Sequence, residues 1–324
     1  MKYTSINTNT QIQEKEEESD LKDKQLASKI ISDTKIDFDD NFLHLEKIIE
    51  NEDFLEAVRK MPAEMKLDYT PEQAKKDLNK LKEAQRKFKE EDIKMISTAF
   101  ERSIILACTK FKWLGKDAFL WPSNDFDDYV NHTDMMVSFD SKKLFDGPIL
   151  ALDATFGVRG INSKIEQIKS EIERGQLTEL KYFTESGEDF KPLYAPRIVI
   201  GMEKDRVLNF LNVFGEEFDK KKKAEDMDFL SSNAVRSLIP LEIKKEAEHF
   251  KNYALELVKN NIDTPNDLKE KWTIIAGAYD LVLNEIEKIL STDEKQKELG
   301  IDLATKSAFQ SRGGDQIYDA INRL

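Results

Sequence analysis

The chain has 324 residues, of which 40% are hydrophobic and 35% are charged, and its formal net charge is −13. This composition predicts one large or two smaller globular domains with an apolar core and much solvent-exposed helix. Three classes are excluded. The chain contains no run of eighteen apolar residues, so no transmembrane helix is predicted. The single cysteine, Cys108, rules out a disulfide framework within the chain, and no Cys/His clusters have structural-zinc spacing. We expect a soluble cytoplasmic protein that makes no membrane contact.

The first 95 residues divide into two predicted segments. Residues 1–35 are polar, charged and poor in aromatic side chains, which predicts disorder. Residues 36–95 are predicted to form a helical N-terminal segment. Within it, Phe38 to Met61 shows helix spacing, and Thr70-Pro71 is typical of an N-cap followed by proline at the first helical position. The highly charged stretch that follows predicts a solvated helix or arm.

Residues 96–218 are predicted to form an α/β core. A helix with a broad apolar face ends near Gly115, and strand-like segments follow at 118–121, 133–139 and 148–156. A helix from about Ile161 ends before Gly175, and 196–202 is another buried strand, followed by a helix from Asp205. The second and third strands could pair as a hairpin. The fourth strand returns after a crossover helix, which favours parallel pairing with a neighbour.

Residues 219–324 are predicted to form a C-terminal helical segment. Apolar residues recur with helix spacing from Asn233 to about Asn260 and from Pro265 to about Leu290. Helices that flank a core on both sides suit helix-in-groove or coiled-coil contacts. The sequence therefore indicates a protein partner or a homo-oligomer as candidate assemblies.

Acidic residues on otherwise apolar elements are the main chemical signal. Asp134 begins the second predicted strand, and Asp153 lies inside the third, in the run L-A-L-D-A-T. A buried carboxylate is costly unless it is paired or binds a cation. Glu101 lies on the preceding helix and Lys164 on the first turn of the following one. Oxygen ligands suit Mg²⁺ or Mn²⁺, so the pattern predicts a site for a divalent cation and a phosphodiester.

The order of these elements resembles the core of the PD-(D/E)XK nuclease superfamily over about residues 97–215. The resemblance implies an αβββαβ core with a mixed sheet and metal-dependent hydrolysis of DNA or RNA. By the same resemblance, Asp134 and Asp153 would be metal ligands and Glu101 an auxiliary one. The family pattern has a lysine two residues after Asp153, where this chain has Thr155. Lys164, on the following helix, could take the place of that lysine.

Other assignments remain open at this level. Candidate substrate contacts are Thr155, His132 and Arg159. Glu101 could instead be a solvated helix residue, and Asp153 a hydrogen-bonded structural acid. The whole protein could be a non-catalytic interaction or scaffold protein whose nuclease-like fold has lost activity. The core is close to neutral, and the cations available for a positive, nucleic-acid-binding face are Arg159, Lys164, Lys169, Arg174, Lys181, Arg197, Lys204 and Arg206.

Overall fold

The structure, a computed structural model, describes residues 18–32, 70–87, 91–139, 147–156, 160–182, 193–219, 234–291, 320, 321 and 323. Helices in these ranges are α1 (residues 18–32), α2 (Pro71–Lys87), α3 (Glu91–Lys110), α4 (Asp125–Tyr129), α5 (Ile161–Glu173), α6 (Lys204–Asp219), α7 (Ala234–Asn260) and α8 (Asn266–Leu290). The strands are β1 (Phe119–Pro122), β2 (Met135–Ser138), β3 (Ile149–Phe156), β4 (Thr178–Leu180), β5 (Leu193–Ala195) and β6 (Arg197–Met202).

A four-stranded mixed sheet organises the centre of the molecule, in the order β1-β2-β3-β6. The β1–β2 and β2–β3 pairs are antiparallel, and the β3–β6 pair is parallel. Helix α5 provides the crossover between the two parallel strands. The predicted α/β class is therefore confirmed at this level, together with the predicted hairpin and the predicted parallel return.

The sheet is covered on both faces because its central strands are apolar on both sides. Along β3, Leu150, Leu152 and Ala154 belong to the main core, which also contains residues of α3, α5, α6, α7 and α8. Ala151 points to the other face, where it packs with Met136 and the β4–β5 hairpin. The C-terminal helices therefore share one core with the sheet.

Gly201 allows β6 to lie close to β3. It is opposite Thr155 in the parallel pair, and an added Cβ would lie 2.4 Å from the Thr155 backbone oxygen. Real Cβ atoms do not approach a carbonyl so closely. This position therefore requires glycine for packing alone.

Residues 18–32 correct the prediction that residues 1–35 are disordered. They form α1, in which Ala27 and Ile30 are buried in the main core. The Arg102 guanidinium of α3 donates a hydrogen bond to the Ile31 carbonyl at 3.0 Å. Long-range contacts thus supply the burial that the local composition lacks. The rest of that segment and the predicted helix from Phe38 to Met61 lie outside the described residues.

Helix α2 was predicted to be a solvated helix or arm, but the structure packs one side of it against the rest of the protein. Its N-cap is as expected, because the Gln73 backbone N–H donates to Thr70 Oγ1 at 3.1 Å. However, Asp77 is fully buried and accepts hydrogen bonds from Lys181 Nζ at 2.6 Å and the Tyr182 hydroxyl at 2.9 Å. This buried ion pair fixes α2 to the segment that follows β4, a short strand that the sequence did not predict.

Candidate functional site

Asp134 and Asp153 face the same side of the sheet. The β2–β3 register pairs Met135 with Leu152, so continuing it by one residue places Asp134 opposite Asp153. Directly opposite residues in an antiparallel pair project to the same face. The Asp134 backbone N–H donates to the Leu152 carbonyl at 3.0 Å, and its Oδ2 accepts from the Ala154 N–H at 2.6 Å. The carboxylate thus satisfies a backbone donor of β3 at the point where β2 begins.

Asp153 is buried, with 2% of its surface exposed, and its two oxygens have different environments. Oδ1 accepts a hydrogen bond from Lys164 Nζ at 2.5 Å. Oδ2 is buried and has no hydrogen-bond partner within the described part of the chain. Leaving a buried acceptor of a charged group unsatisfied is costly. This oxygen is therefore positioned to receive a cation or a hydrogen-bond donor.

Helix α5 places Lys164 beside the sheet. Ile161, Ile165, Ile168 and Ile172 anchor the helix in the main core. Burial alone would lower the pKa of Lys164, but the negative charges of Asp153 and Asp134 outweigh it and raise that pKa. The side chain is therefore an ammonium at neutral pH, held against a buried carboxylate.

Glu101 lies partly buried on α3 and accepts a hydrogen bond from Ser97 Oγ at 2.7 Å, one helical turn earlier. Burial, followed by the negative charge of Asp128, raises the pKa of Glu101 to about 7. Burial, followed by the charges of Glu101 and Asp153, also raises the pKa of Asp134 well above its ordinary value. These acids repel one another electrostatically, and the Lys164 ammonium opposes that repulsion.

A divalent cation fits this arrangement in part. Among the described residues, no three His, Cys, Asp or Glu side chains are arranged to hold a metal ion. Mg²⁺ nevertheless commonly binds through only one or two carboxylates and keeps several waters. A bound cation would give Asp153 Oδ2 a partner, and its positive charge would lower the raised pKa of Asp134. Asp134 and Asp153 are therefore the candidate ligands, and Glu101 acts on them through its charge.

The other predicted contacts have different environments. Thr155 is 9% exposed on β3, and Arg159 lies outside the described residues. His132 is partly buried with φ of 55°, and burial, followed by the charge of Arg197, lowers the pKa of its imidazole. That histidine is therefore neutral at pH 7.

Two of the cations predicted for a positive face are buried in ion pairs instead. Arg197 is 2% exposed, bonds Glu171 at 2.8 Å and donates to the carbonyls of Asn131 and His132. Lys181 bonds the buried Asp77. Arg197 thus holds the loop at Asn131 and His132, and Lys181 holds α2. Because both are buried in these contacts, neither can belong to an exposed positive face.

Three further acidic residues, around the site or against β6, were not predicted to have a role. Asp128 of α4 affects the pKa of both Glu101 and Asp134. Glu242 and Glu246 of α7 are fully buried and accept hydrogen bonds from the backbone N–H groups of β6, at Gly201 (3.1 Å) and Val199 (2.9 Å). Burial, with a further contribution from Asp153, raises the pKa of Glu246 well above its ordinary value. The sequence signal that could have identified Glu242 and Glu246 is the presence of two acids four residues apart on an apolar helix face.

Comparison of the chain with protein-family models, curated proteins and solved structures finds no match. None of the helices in the described ranges has the length and hydropathy needed to cross a bilayer. Function is therefore inferred from the geometry of the site itself.

Proposed function

We propose that this protein is a divalent-metal-dependent nuclease of the PD-(D/E)XK type that hydrolyses phosphodiester bonds of DNA or RNA. One observation carries the proposal: Asp134 and Asp153 project from neighbouring strands to one face, with Lys164 Nζ 2.5 Å from Asp153. The strand order β1-β2-β3-β6 and the parallel β3–β6 pair support an αβββαβ core.

Each residue has a defined chemical role in this proposal. Asp134 and Asp153 would hold Mg²⁺ or Mn²⁺, which when bound supplies Lewis-acid stabilisation of the phosphate and a more acidic water. Lys164 provides a fixed positive charge on α5 in place of the lysine that Thr155 replaces, and this charge orients the attacking water and the scissile phosphate. Glu101, with a pKa of about 7, can exchange a proton with that water at neutral pH.

The proposal is tested by metal-dependent thermal stability and by cleavage of plasmid DNA and RNA. The wild type should melt at a higher temperature in millimolar Mg²⁺ or Mn²⁺ than in EDTA, because a ligand that binds only the folded state stabilises it by mass action. Asp153→Asn should lose both the thermal shift and the cleavage. Asp117→Asn, which changes an exposed acid between α3 and β1, is the matched control and should keep both.

Two outcomes would contradict the proposal. One is a wild type that neither cleaves nucleic acid nor responds to either cation. The other is an Asp153→Asn protein that cleaves as fast as the wild type, which would indicate that the activity resides elsewhere.

The second candidate is a non-catalytic interaction or scaffold protein with the same fold. It is favoured by Thr155 at the lysine position and by the fact that no three ligating side chains converge in the described ranges. In that case Lys164 would serve only to neutralise Asp153. The melting experiment separates the two candidates, because an inert scaffold has no divalent-dependent shift.

A further inference from the structure

We propose that the outward face of helix α2 binds the sugar-phosphate backbone of the nucleic acid and presents it to the candidate site. This inference rests on the proposed nuclease function and names the surface that holds its substrate. Helix α2 lies outside the region that resembles the nuclease core, so no part of that resemblance predicts its role.

The charge on α2 is opposite to that of the chain. The helix carries six Lys or Arg residues and three Asp or Glu residues, whereas the whole chain has 50 and 63. All six cations are exposed: Lys75, Lys76, Lys80, Lys82, Arg86 and Lys87. Of the acids, Asp77 is fully buried and pairs with Lys181 and, at 3.4 Å, with Lys80, while Glu72 and Glu83 are exposed.

Three of the cations form a stripe because of their helical spacing. Ala74, Asp77 and Leu81 are buried and define the inward side. Lys75, Lys82 and Arg86 follow one another at seven and four residues, which places them on one side of the helix. Seventeen residues at about 1.5 Å each give a rod of about 25 Å. The row from Lys75 to Arg86 covers about 17 Å of this length, which matches a linear polyanion better than a single small anion.

The position of α2 brings this face to the border of the candidate site. Asp77 ties the helix to Lys181 and Tyr182, and the Tyr182 ring meets Phe126 of α4 edge-to-face at a centroid distance of 5.4 Å. On the same short helix, the Asp127 carbonyl accepts a hydrogen bond at 2.9 Å from the backbone N–H of Thr133, which directly precedes Asp134. Helix α2 therefore packs next to the helix that leads into Asp134, and a backbone bound on α2 would be held near the acidic cluster.

A local positive face is needed because the chain as a whole repels a polyanion. At a net charge of −13, the long-range field of the protein opposes association with nucleic acid. Two of the core cations predicted for this task, Lys181 and Arg197, are buried in ion pairs. Helix α2 supplies exposed positive charge instead. Its buried Asp77, the ion-pair partner of Lys181, holds the helix in place.

The test measures the salt dependence of binding in EDTA, where no metal-dependent cleavage occurs. Fluorescence anisotropy is recorded with labelled duplex DNA, single-stranded DNA and RNA for the full chain and for the triple variant Lys75→Gln, Lys82→Gln, Arg86→Gln. The matched control is Lys116→Gln, Lys259→Gln, Lys288→Gln, which removes three exposed cations from other elements. Because all six positions are exposed, both variants should keep the wild-type melting temperature.

The α2 variant should bind at least about tenfold more weakly. The slope of log K against log salt should become shallower by roughly 2 to 3, since each phosphate that the protein no longer neutralises reduces it by about 0.9. The control should differ little from the wild type in this slope. Equal effects of the two triple variants, or no effect of the α2 variant on any of the three probes, would overturn the inference.

This binding experiment, together with the cleavage assay in Mg²⁺ or Mn²⁺, separates this inference from the proposed function. If binding depends on α2 but Asp153→Asn leaves cleavage unchanged, the nuclease assignment fails and the binding surface stands. If cleavage requires Asp153 but the α2 variant binds and cleaves normally, the binding surface fails and the nuclease assignment stands.

Discussion

Replacing Glu101 with glutamine should make the metal-free protein more stable above neutral pH. The folded protein raises the pKa of this carboxyl from 4.5 to about 7, through burial and the neighbouring charge of Asp128. At about 1.4 kcal/mol for each pH unit of pKa change, ionising Glu101 in the folded state costs up to about 3 kcal/mol. Glutamine keeps the shape and the acceptor for Ser97 Oγ without the charge.

The sign of the pH dependence follows from the raised pKa. Below about pH 4.5, Glu101 is protonated in both the folded and the unfolded protein, so its contribution to stability is fully present. As pH rises to about 7, the unfolded chain releases the proton first, and the free energy of unfolding falls. Above about pH 7 the loss is complete. The wild type should therefore lose stability between pH 5 and 8 through this group, and Glu101→Gln should not.

Urea denaturation in EDTA at several pH values measures this difference. The two proteins should have similar free energies of unfolding near pH 5, and the variant should be more stable by up to about 3 kcal/mol at pH 8. Removing the Glu101 charge also eases ionisation of Asp134, which acts in the same direction. Glu83→Gln, at an exposed position on α2, is the control and should follow the wild type. A difference that does not change with pH, or a variant less stable at pH 8, would refute the reasoning.

Further predictions concern the packing that supports the site. Gly201→Ala should lower the free energy of unfolding by at least about 2 kcal/mol, because the new Cβ would collide with the Thr155 carbonyl oxygen. An unchanged urea midpoint would contradict this prediction. Gly277→Ala is the counterpart, with no atom within 4 Å of the new Cβ, and should stabilise α8 by about 0.5–1 kcal/mol. Asp77→Ala should cost about 3–5 kcal/mol because it leaves the buried Lys181 ammonium without its partner, and a loss below about 1 kcal/mol would show that the pair is dispensable.

The sequence predicted the elements whose signal is local. Strand β3 is a nearly continuous apolar run of eight residues, and α5 has isoleucines at helix spacing, so both were identified close to their bounds. The hairpin and the parallel return followed from chain order and connection length. Asp134 and Asp153 could be paired in advance because an acid in an apolar strand requires a compensating partner, and Lys164 proves to be that partner of Asp153.

The elements that sequence reasoning missed depend on distant residues. The strands β4 and β5 have three residues each, too few for a periodic pattern. Helix α1 is polar in sequence, and its Ala27 and Ile30 are buried because α3 and α6 lie beside it. The buried role of Asp77 was hidden because its partner, Lys181, is 104 residues away. A charged residue has the same local appearance whether it faces water or a distant counter-ion.

The two glutamates of α7 have a consequence for how the molecule can associate. Among the described strands, β6 is the last on its side of the main sheet, and an outermost strand normally offers unpaired backbone donors to which another chain can add. Here the carboxylates of Glu242 and Glu246 occupy the donors at Gly201 and Val199. Extending the sheet past β6 would require α7 to move away first. Any partner that joins by strand addition must therefore approach from another direction, and the sheet is protected from edge-to-edge aggregation on this side.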